Sequence, residues 1–295
     1  MIQTSRQLKD LVRNLAKSSG IEAHVLIRRY MMERLLERIS LSPSKDSFIL
    51  KGGMLVSALV GVDTRATMDI DTTVRGLPVT ASDIEKILTD IIAIPIDDGV
   101  QFRIKGINDI MEEMEYSGVR FSMEALLDSS VTSLKLDIST GDAITPREIQ
   151  YPYKLMFEDR SIPIMVYPLE TVLAEKLEMI LSRSTLNSRM RDFYDIHVLQ
   201  EAFLQEIDTS TLTLALTATA EKRGSIGKLH DAEAILCAIE NSPELRELWA
   251  VYQKKNAYAR PFIWESIIRS IRQVCKKAGL FVNSDINTFL LNDLL

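Results

Sequence analysis

The sequence is poor in the residues that build disulfide frameworks and zinc sites. Only two cysteines, Cys237 and Cys275, and three histidines occur in 295 residues, and the cysteines lie far apart inside predicted helices. This scarcity excludes a disulfide scaffold and disfavours a zinc site with His or Cys ligands. It predicts a reduced, cytoplasmic protein in which oxygen atoms hold any catalytic metal.

Long apolar runs are also missing. No stretch approaches the ~20 apolar residues of a membrane-spanning helix, and the first residues, MIQTSRQLKD, lack the apolar core of a secretory signal. Hydrophobic residues still make up 46% of the chain and charged residues 26%, which is typical of globular proteins. A chain of 295 residues suits two domains.

The net charge of −6 conceals two basic ends. Residues 1–50 contain nine Lys or Arg and five Asp or Glu, and residues 250–280 contain Glu265 as their single acidic residue. These ends are either solvated helix faces or an electrostatic footprint for a polyanion such as RNA. The basic residues of the second end are Lys254, Lys255, Arg260, Arg269, Arg272, Lys276 and Lys277.

Apolar periodicity changes near Pro168. Before it, helices are predicted at 3–18, 22–40 and 81–94, and strands at 48–50, 67–74, 100–104, 119–123, 134–138 and 162–166. After it, the period stays at 3.6, with helices predicted at 168–183, 191–203, 209–222, 230–240, 244–256, 261–278 and 284–294. We therefore predict an α+β protein, with an α/β domain built on a mixed sheet at 1–166 and an all-helical domain at 167–295.

An acidic segment runs through the predicted strand at 67–74. Alternation on a strand places Arg65, Thr67, Asp69 and Asp71 on one face. Two carboxylates held side by side repel each other unless a cation lies between them, and Mg²⁺ binds such a pair together with phosphate oxygens. Asp137, on the polar face of another predicted strand, offers a third carboxylate.

Gly52 and Gly53 lie between a predicted strand and a predicted helix, 16 residues before Asp69. Such a turn is often structural, but its backbone N–H groups and the helix dipole also hold phosphate. The bare Asp-x-Asp pattern is common by chance. The order strand, Gly-Gly, helix, Asp-x-Asp and then a third Asp is much rarer, and it indicates phosphoryl chemistry with divalent metal.

These motifs resemble those of the AbiEii family of nucleotidyltransferase toxins, which act in type IV toxin–antitoxin and abortive-infection (phage defence) systems. The resemblance covers about residues 48–200. It rests on Leu50-Lys51-Gly52-Gly53, Arg65-x-Thr67-x-Asp69-Ile-Asp71, Leu136-Asp137, Glu170-Thr-x-x-Ala174-Glu-Lys176 and Arg191-Asp192-Phe-Tyr-Asp195.

The resemblance implies a polymerase-β-like nucleotidyltransferase fold and assigns roles to residues. Asp69, Asp71 and Asp137 would bind Mg²⁺ or Mn²⁺, and Asp137, or a metal-bound oxygen, would accept the acceptor's proton. The glycine turn would hold the nucleoside triphosphate together with Lys51, Arg65 and Thr67. Gly53 stands where the commoner motif has Ser, so the backbone amides must serve there.

Lys176 and Asp192 carry the second half of the resemblance. Lys176 lies on the apolar stripe of its predicted helix and reads either as a lysine that reaches solvent or as a phosphate ligand. Asp192 and Asp195 open the next predicted helix, where capping explains one of them. The resemblance implies nucleotide binding for Lys176 and an active-site role for Asp192.

The function implied is transfer of a nucleotide from a triphosphate to an RNA acceptor, with the 3′ end of tRNA as the best candidate. The product would arrest growth, and a cognate antitoxin would act without a stable complex. Three alternatives stay open, namely nucleotidylylation of a protein hydroxyl, a non-catalytic nucleotide- or partner-binding module, and two-metal nuclease chemistry.

Overall fold

The computed structural model describes residues 1–77, 80–110 and 118–281. The chain forms two compact units, Met1–Pro168 and Leu169–Leu295. The elements of the N-terminal unit are α1 (Ser5–Ser19), α2 (Ala23–Leu41), β1 (Phe48–Lys51), α3 (Gly52–Val60), β2 (Ile70–Val74), α4 (Ala81–Ile92), β3 (Val100–Ile110), β4 (Gly118–Leu127), β5 (Ser130–Thr140), β6 (Ile149–Lys154) and β7 (Ser161–Val166).

Its seven strands form one mixed sheet in the order β3-β4-β5-β2-β1-β7-β6. The β2/β5 and β1/β7 pairs are parallel, and the other neighbours are antiparallel. The apolar side chains of the central strands, among them Leu50, Ile70, Leu136 and Ile138, are fully buried. The predicted fold class, α+β with a mixed N-terminal sheet and a helical C-terminal part, is confirmed.

Helix α2 carries buried charges, whereas the sequence allowed either a solvated face or a footprint for a polyanion. Arg29 bonds Glu33, and Arg38 forms a bidentate pair with Asp98. Arg34, also buried, contacts carboxylates of the same unit. These arginines compensate buried carboxylates and do not face a polyanion, so the footprint predicted for residues 1–50 is wrong in this helix.

Strand boundaries differ from the prediction in two places that bear on function. Strand β2 begins at Ile70, so Arg65, Thr67 and Asp69 lie in the segment that leads into it. Strand β6 was not predicted because it contains Pro152. Proline is tolerated there because β6 is an edge strand of the sheet.

The C-terminal unit is helical throughout its described part. Its helices are α5 (Leu169–Arg183), α6 (Met190–Phe203), α7 (Thr209–Lys222), α8 (Ile226–His230), α9 (Ala232–Asn241), α10 (Pro243–Lys255) and α11 (Trp264–Lys277). The predicted helix at 284–294 lies outside the described residues. No helix in the described ranges is long and apolar enough to cross a bilayer.

Helices α6 and α11 run side by side in the same direction. The rings of Phe193 and Trp264, near their starts, lie 5.6 Å apart, and further along both helices Nδ1 of His197 is 2.7 Å from Oγ of Ser270. Burial lowers the pKa of His197, which favours the neutral imidazole. This pair of helices fixes the positions of the basic residues discussed below.

Candidate active site

The glycine turn lies between β1 and α3, and the Asp71 carboxylate packs directly against it. Gly52 has φ of +63°, and a Cβ built on it would overlap Oδ2 of Asp71 and lie 2.8 Å from the Asp71 Cβ. The turn therefore requires glycine at this position for two independent reasons, the left-handed backbone and the close approach of a carboxylate.

Gly53 is required by space. A Cβ there would lie 2.7 Å from Oγ1 of Thr67 and 3.0 Å from Nη2 of Arg65. Both side chains are buried, Arg65 at 2% exposure and Thr67 at 6%. The structure thus brings a guanidinium and a hydroxyl, both hydrogen-bond donors, to the N-terminus of α3, where helix geometry already favours anions. A serine at position 53 would force the Thr67 and Arg65 side chains to shift.

Four charged residues form one row across the sheet. Arg120 on β4 is the neighbour of Asp137 on β5, Asp137 is the neighbour of Asp71 on β2, and Asp71 is the neighbour of Lys51 on β1. Neighbouring residues of paired strands share a face. The row therefore reads cation, anion, anion, cation, with two carboxylates side by side at its centre.

Among these four residues, Asp71 has a charge that its surroundings disfavour. Burial raises the pKa of its carboxyl, and the charges of Asp137 and Asp69 raise it further, while Lys51 and the backbone N–H of Gly53 counteract the rise. Repelling carboxylates with hard oxygen ligands fit a divalent cation such as Mg²⁺ or Mn²⁺. The Gly53 amide, a donor suited to phosphate, is engaged here by the Asp71 carboxylate.

Both carboxylate oxygens of Asp137 are hydrogen-bonded to Arg120. Nε of Arg120 lies 2.8 Å from its Oδ1, and Nη2 of Arg120 lies 2.7 Å from its Oδ2. Accordingly, the described ranges contain no cluster of three or more His, Cys, Asp or Glu side chains able to hold a metal ion. Asp69 and Asp71 fit the metal, since Mg²⁺ takes one or two carboxylates plus substrate oxygens. Asp137 fits it only when Arg120 has moved.

Lys51, predicted to bind nucleotide, is anchored by a buried carboxylate. Its ammonium pairs with Asp142, which also accepts hydrogen bonds from Ser139 at 2.7 Å and Tyr167 at 2.6 Å. Burial alone would raise the pKa of Asp142, but Lys51 and these hydroxyls lower it overall. Lys51 is thereby fixed next to Asp71, where its charge offsets part of the carboxylate repulsion.

In the C-terminal unit, Lys176 lies between two carboxylates. Its Nζ is 3.0 Å from Oδ1 of Asp192 and 2.7 Å from Oδ2 of Asp195. Neither aspartate caps α6, whose N-cap is Arg189, and Arg189 bonds Asp192 at 3.1 Å. The capping interpretation and the solvated-lysine interpretation are therefore both wrong. The family-motif residues form a buried ionic cluster in which the carboxylates orient the ammonium.

The predicted RNA-binding residues do not form one continuous face. Lys254 lies in the last turn of α10, two residues after Tyr252, whose ring is 6.1 Å from that of Tyr194 near the start of α6. Lys277 instead donates a hydrogen bond to the carbonyl of Leu204, just after α6 ends. Positions 194 and 204 are about 15 Å apart along a helix. The two lysine groups therefore lie at opposite ends of α6.

Arg272 is also committed to another role. It bonds Glu233 at 2.8 Å and Glu240 at 2.9 Å, two acidic residues of α9 that the sequence does not place near it. Five members of the predicted set remain exposed, namely Lys254, Lys255, Arg260, Arg269 and Lys276. The first three of these lie at the C-terminal end of α10 or directly after it.

Two residues that sequence reasoning missed are part of the site. Arg120 and Asp142 hold Asp137 and Lys51, respectively. Arg120 does occur on the polar face of a predicted strand, which was the one signal available. Its partner depends on the register of β4 against β5, and Asp142 lies in a loop after β5.

Two solved structures resemble this chain to different degrees. JHP933 from Helicobacter pylori has a similar structure, with a TM-score of 0.52 and 16% identity over 93% of this chain and 99% of that chain. ANT(2″)-Ia, solved in complex with adenylyl-2″-tobramycin, is more distant, with a TM-score of 0.34 and 14% identity over 65% of this chain and 95% of that one. No curated protein matches.

The first of these likenesses supports the fold, and the family follows from the sequence itself. The family model described as "Nucleotidyl transferase AbiEii toxin, Type IV TA system" matches residues 34–269. That span includes the glycine turn, the acidic segment, the charged row and the Lys176 cluster. The chain belongs to the AbiEii family of nucleotidyltransferase toxins.

Proposed function

We propose that this toxin transfers a nucleoside monophosphate from a nucleoside triphosphate to an RNA acceptor, with the 3′ end of tRNA as the first candidate, and so arrests growth. One observation carries the proposal. The paired carboxylates Asp71 and Asp137 lie in register, and the Asp71 carboxylate packs on a glycine turn that begins a helix. This arrangement supports a phosphate site and a metal site at one place on the sheet.

The residues divide the work according to their chemistry. The N-terminus of α3, with Arg65 and Thr67, binds the triphosphate through donors. Asp69 and Asp71 would hold the divalent cation, which when bound would neutralise charge on the phosphates. The charge of Lys51 offsets part of the negative charge around Asp71.

In the reaction, an acceptor hydroxyl oxygen bonds to the α-phosphorus and the bond from that phosphorus to the β-phosphate bridging oxygen breaks. Pyrophosphate leaves with the electron pair, and Asp137 accepts the hydroxyl proton. Lys176 acts as a phosphate ligand whose direction is set by Asp192 and Asp195. These roles are proposals that rest on the contacts of each residue and on the family motif.

The C-terminal end of α10 is the proposed acceptor surface. Exposed Lys254, Lys255 and Arg260 supply charge there, beside Tyr252 and Tyr258, which are half-buried and pack against Tyr194. This surface favours an RNA acceptor over a protein hydroxyl. A protein substrate has no use for a row of phosphate-binding cations beside aromatic rings.

Reversing the two lysines to glutamate (Lys254→Glu, Lys255→Glu) is expected to weaken RNA binding and flatten its salt dependence. Each lost phosphate contact reduces the slope of log K against log salt by about 0.7 for single strands. The measurement is RNA binding at several salt concentrations. The matched control is Arg269→Glu with Lys276→Glu, which makes the same charge change on α11. Equal slopes in wild type and the α10 variant would favour the protein acceptor.

Transfer itself is tested by incubating the purified protein with total RNA and each labelled triphosphate in turn. We expect label to enter RNA in the presence of Mg²⁺ or Mn²⁺ and not to enter protein. Labelled protein would establish the alternative acceptor, shortened RNA would establish nuclease chemistry, and absence of any product would support a binding module. Family membership implies a cognate antitoxin. We propose that this antitoxin neutralises the toxin without a stable complex, which co-purification tests.

A further inference from the structure

Arg120 has no role in the proposed reaction, yet its guanidinium contacts both oxygens of Asp137. Its guanidinium grips both carboxylate oxygens, at 2.8 and 2.7 Å, in the bidentate geometry that arginine also uses for phosphate. The pair lies on the same face as Asp71, one strand further from the glycine turn. A cation therefore already occupies one side of the third carboxylate.

This pairing suppresses the chemistry that Asp137 is expected to perform. The guanidinium engages both oxygens of the Asp137 carboxylate, and its charge repels an incoming metal cation at close range. Asp137 is itself only 8% exposed, which restricts approach from other directions. Proton acceptance or metal binding by Asp137 thus requires that Arg120 move away.

The N-terminal unit contains a second bidentate Arg–Asp pair, which is fully buried and serves as a comparison. Arg38 bonds Asp98 at 2.8 and 3.0 Å, with side-chain exposures of 3% and 0%. Arg120, by contrast, is 32% exposed. Because Arg120 is partly exposed, moving its guanidinium would require less repacking of the core than moving that of Arg38.

We propose that Arg120 is a positioning residue. In the free enzyme it keeps the Asp137 carboxylate paired, and it moves away from that carboxylate when the metal-bound triphosphate enters. The guanidinium then binds phosphate oxygens instead of the Asp137 carboxylate, because its planar donor groups bind either anion in a bidentate manner. Asp137 then becomes available as metal ligand and base. The free enzyme in this way avoids two uncompensated carboxylates side by side. The inference rests on the proposed function, because it needs a triphosphate at the glycine turn.

The test measures binding and does not depend on catalysis. Arg120→Gln removes the competing cation, so we expect metal-free protein to bind Mn²⁺ alone about fivefold more tightly than wild type. The same variant should bind inorganic tripolyphosphate with Mg²⁺ about tenfold more weakly, because a charge-assisted contact is lost. Arg120→Lys, which keeps the charge without the fork, should retain wild-type Mn²⁺ affinity and fold if the glutamine variant does not.

Arg38→Gln is the matched control, because it breaks a bidentate Arg–Asp pair in the same unit. It should lower the thermal melting point and leave the Mn²⁺ affinity of the folded protein unchanged. Unaltered Mn²⁺ affinity in Arg120→Gln would overturn the proposal and make Asp137 a mere anchor for Arg120. An equal gain in Arg38→Gln would also overturn it. If wild type bound neither Mn²⁺ nor tripolyphosphate, the proposed function itself would fail.

Discussion

Replacing Asp71 with asparagine is expected to abolish nucleotidyl transfer and, at neutral pH, to make the protein more stable. Asp71 is buried beside Asp137 and Asp69, and these surroundings raise its pKa. The neutral amide keeps the acceptor oxygen that the Gly53 N–H needs and removes the charge that burial penalises. The thermal midpoint should rise by roughly 2–4 °C for each kcal/mol of relieved repulsion.

The pH dependence of this difference has a definite sign. A carboxyl group whose pKa is raised by folding binds its proton more tightly in the folded chain. Its contribution to stability is fully present below the unfolded-state pKa and is lost as the pH rises through the folded-state pKa. The stability advantage of Asp71→Asn over wild type should therefore be largest at neutral pH and should shrink as the pH falls toward the unfolded-state pKa.

Asp98→Asn provides the opposite control. Asp98 is fully buried as well, but its charge is paired with Arg38. Removing it leaves an arginine buried without its partner, which lowers stability. Thermal melts of wild type and both variants across pH, together with a transfer assay, make the comparison. A loss of stability in Asp71→Asn comparable to that in Asp98→Asn would show that Asp71 has a structural role.

The sequence was sufficient for the fold class and for the central pair of carboxylates. Alternation of polar residues placed Asp71 and Asp137 on the polar faces of two strands, and the structure makes them neighbours. The same reasoning put Asp69 on that strand, although β2 begins one residue later. Periodicity predicts which side chains share a face within a strand. It predicts the ends of a strand poorly, because the end positions depend on the partner strand.

The sequence did not predict which charged residues form ion pairs with each other. Arg272 looked like part of a basic face because its acidic partners lie on α9, more than thirty positions away. Arg38 and Asp98 are sixty residues apart and meet in the core. Nothing local distinguishes such a buried pair from two solvated charges, since the cost and the compensation of burial both arise from tertiary packing.

Gly52→Ala is expected to have the second large effect, on both stability and transfer. The new Cβ overlaps the Asp71 carboxylate and comes within 2.8 Å of the Asp71 Cβ, which β2 holds in place. The side chain cannot escape by rotating its far end, so either the turn or the strand must shift. A displacement of about 1 Å at a reacting centre costs about a hundredfold in rate.

Two other glycines separate the causes of this effect. Gly20 has φ of +73° with open space around it, so Gly20→Ala carries the left-handed strain alone, about 1–2 kcal/mol. Gly227 has neither a positive φ nor a neighbour within 4 Å, so Gly227→Ala should be neutral or slightly stabilising.

The difference between Gly52→Ala and Gly20→Ala in chemical denaturation therefore measures the contact between the turn and the carboxylate. We expect that difference to be positive and to accompany loss of transfer in Gly52→Ala alone. If the two variants lost equal stability and Gly52→Ala still transferred nucleotide at the wild-type rate, the close packing of Asp71 on the turn would have no catalytic role. The glycine would then serve only the backbone conformation, and the triphosphate would have to be held mainly by Arg65 and Thr67.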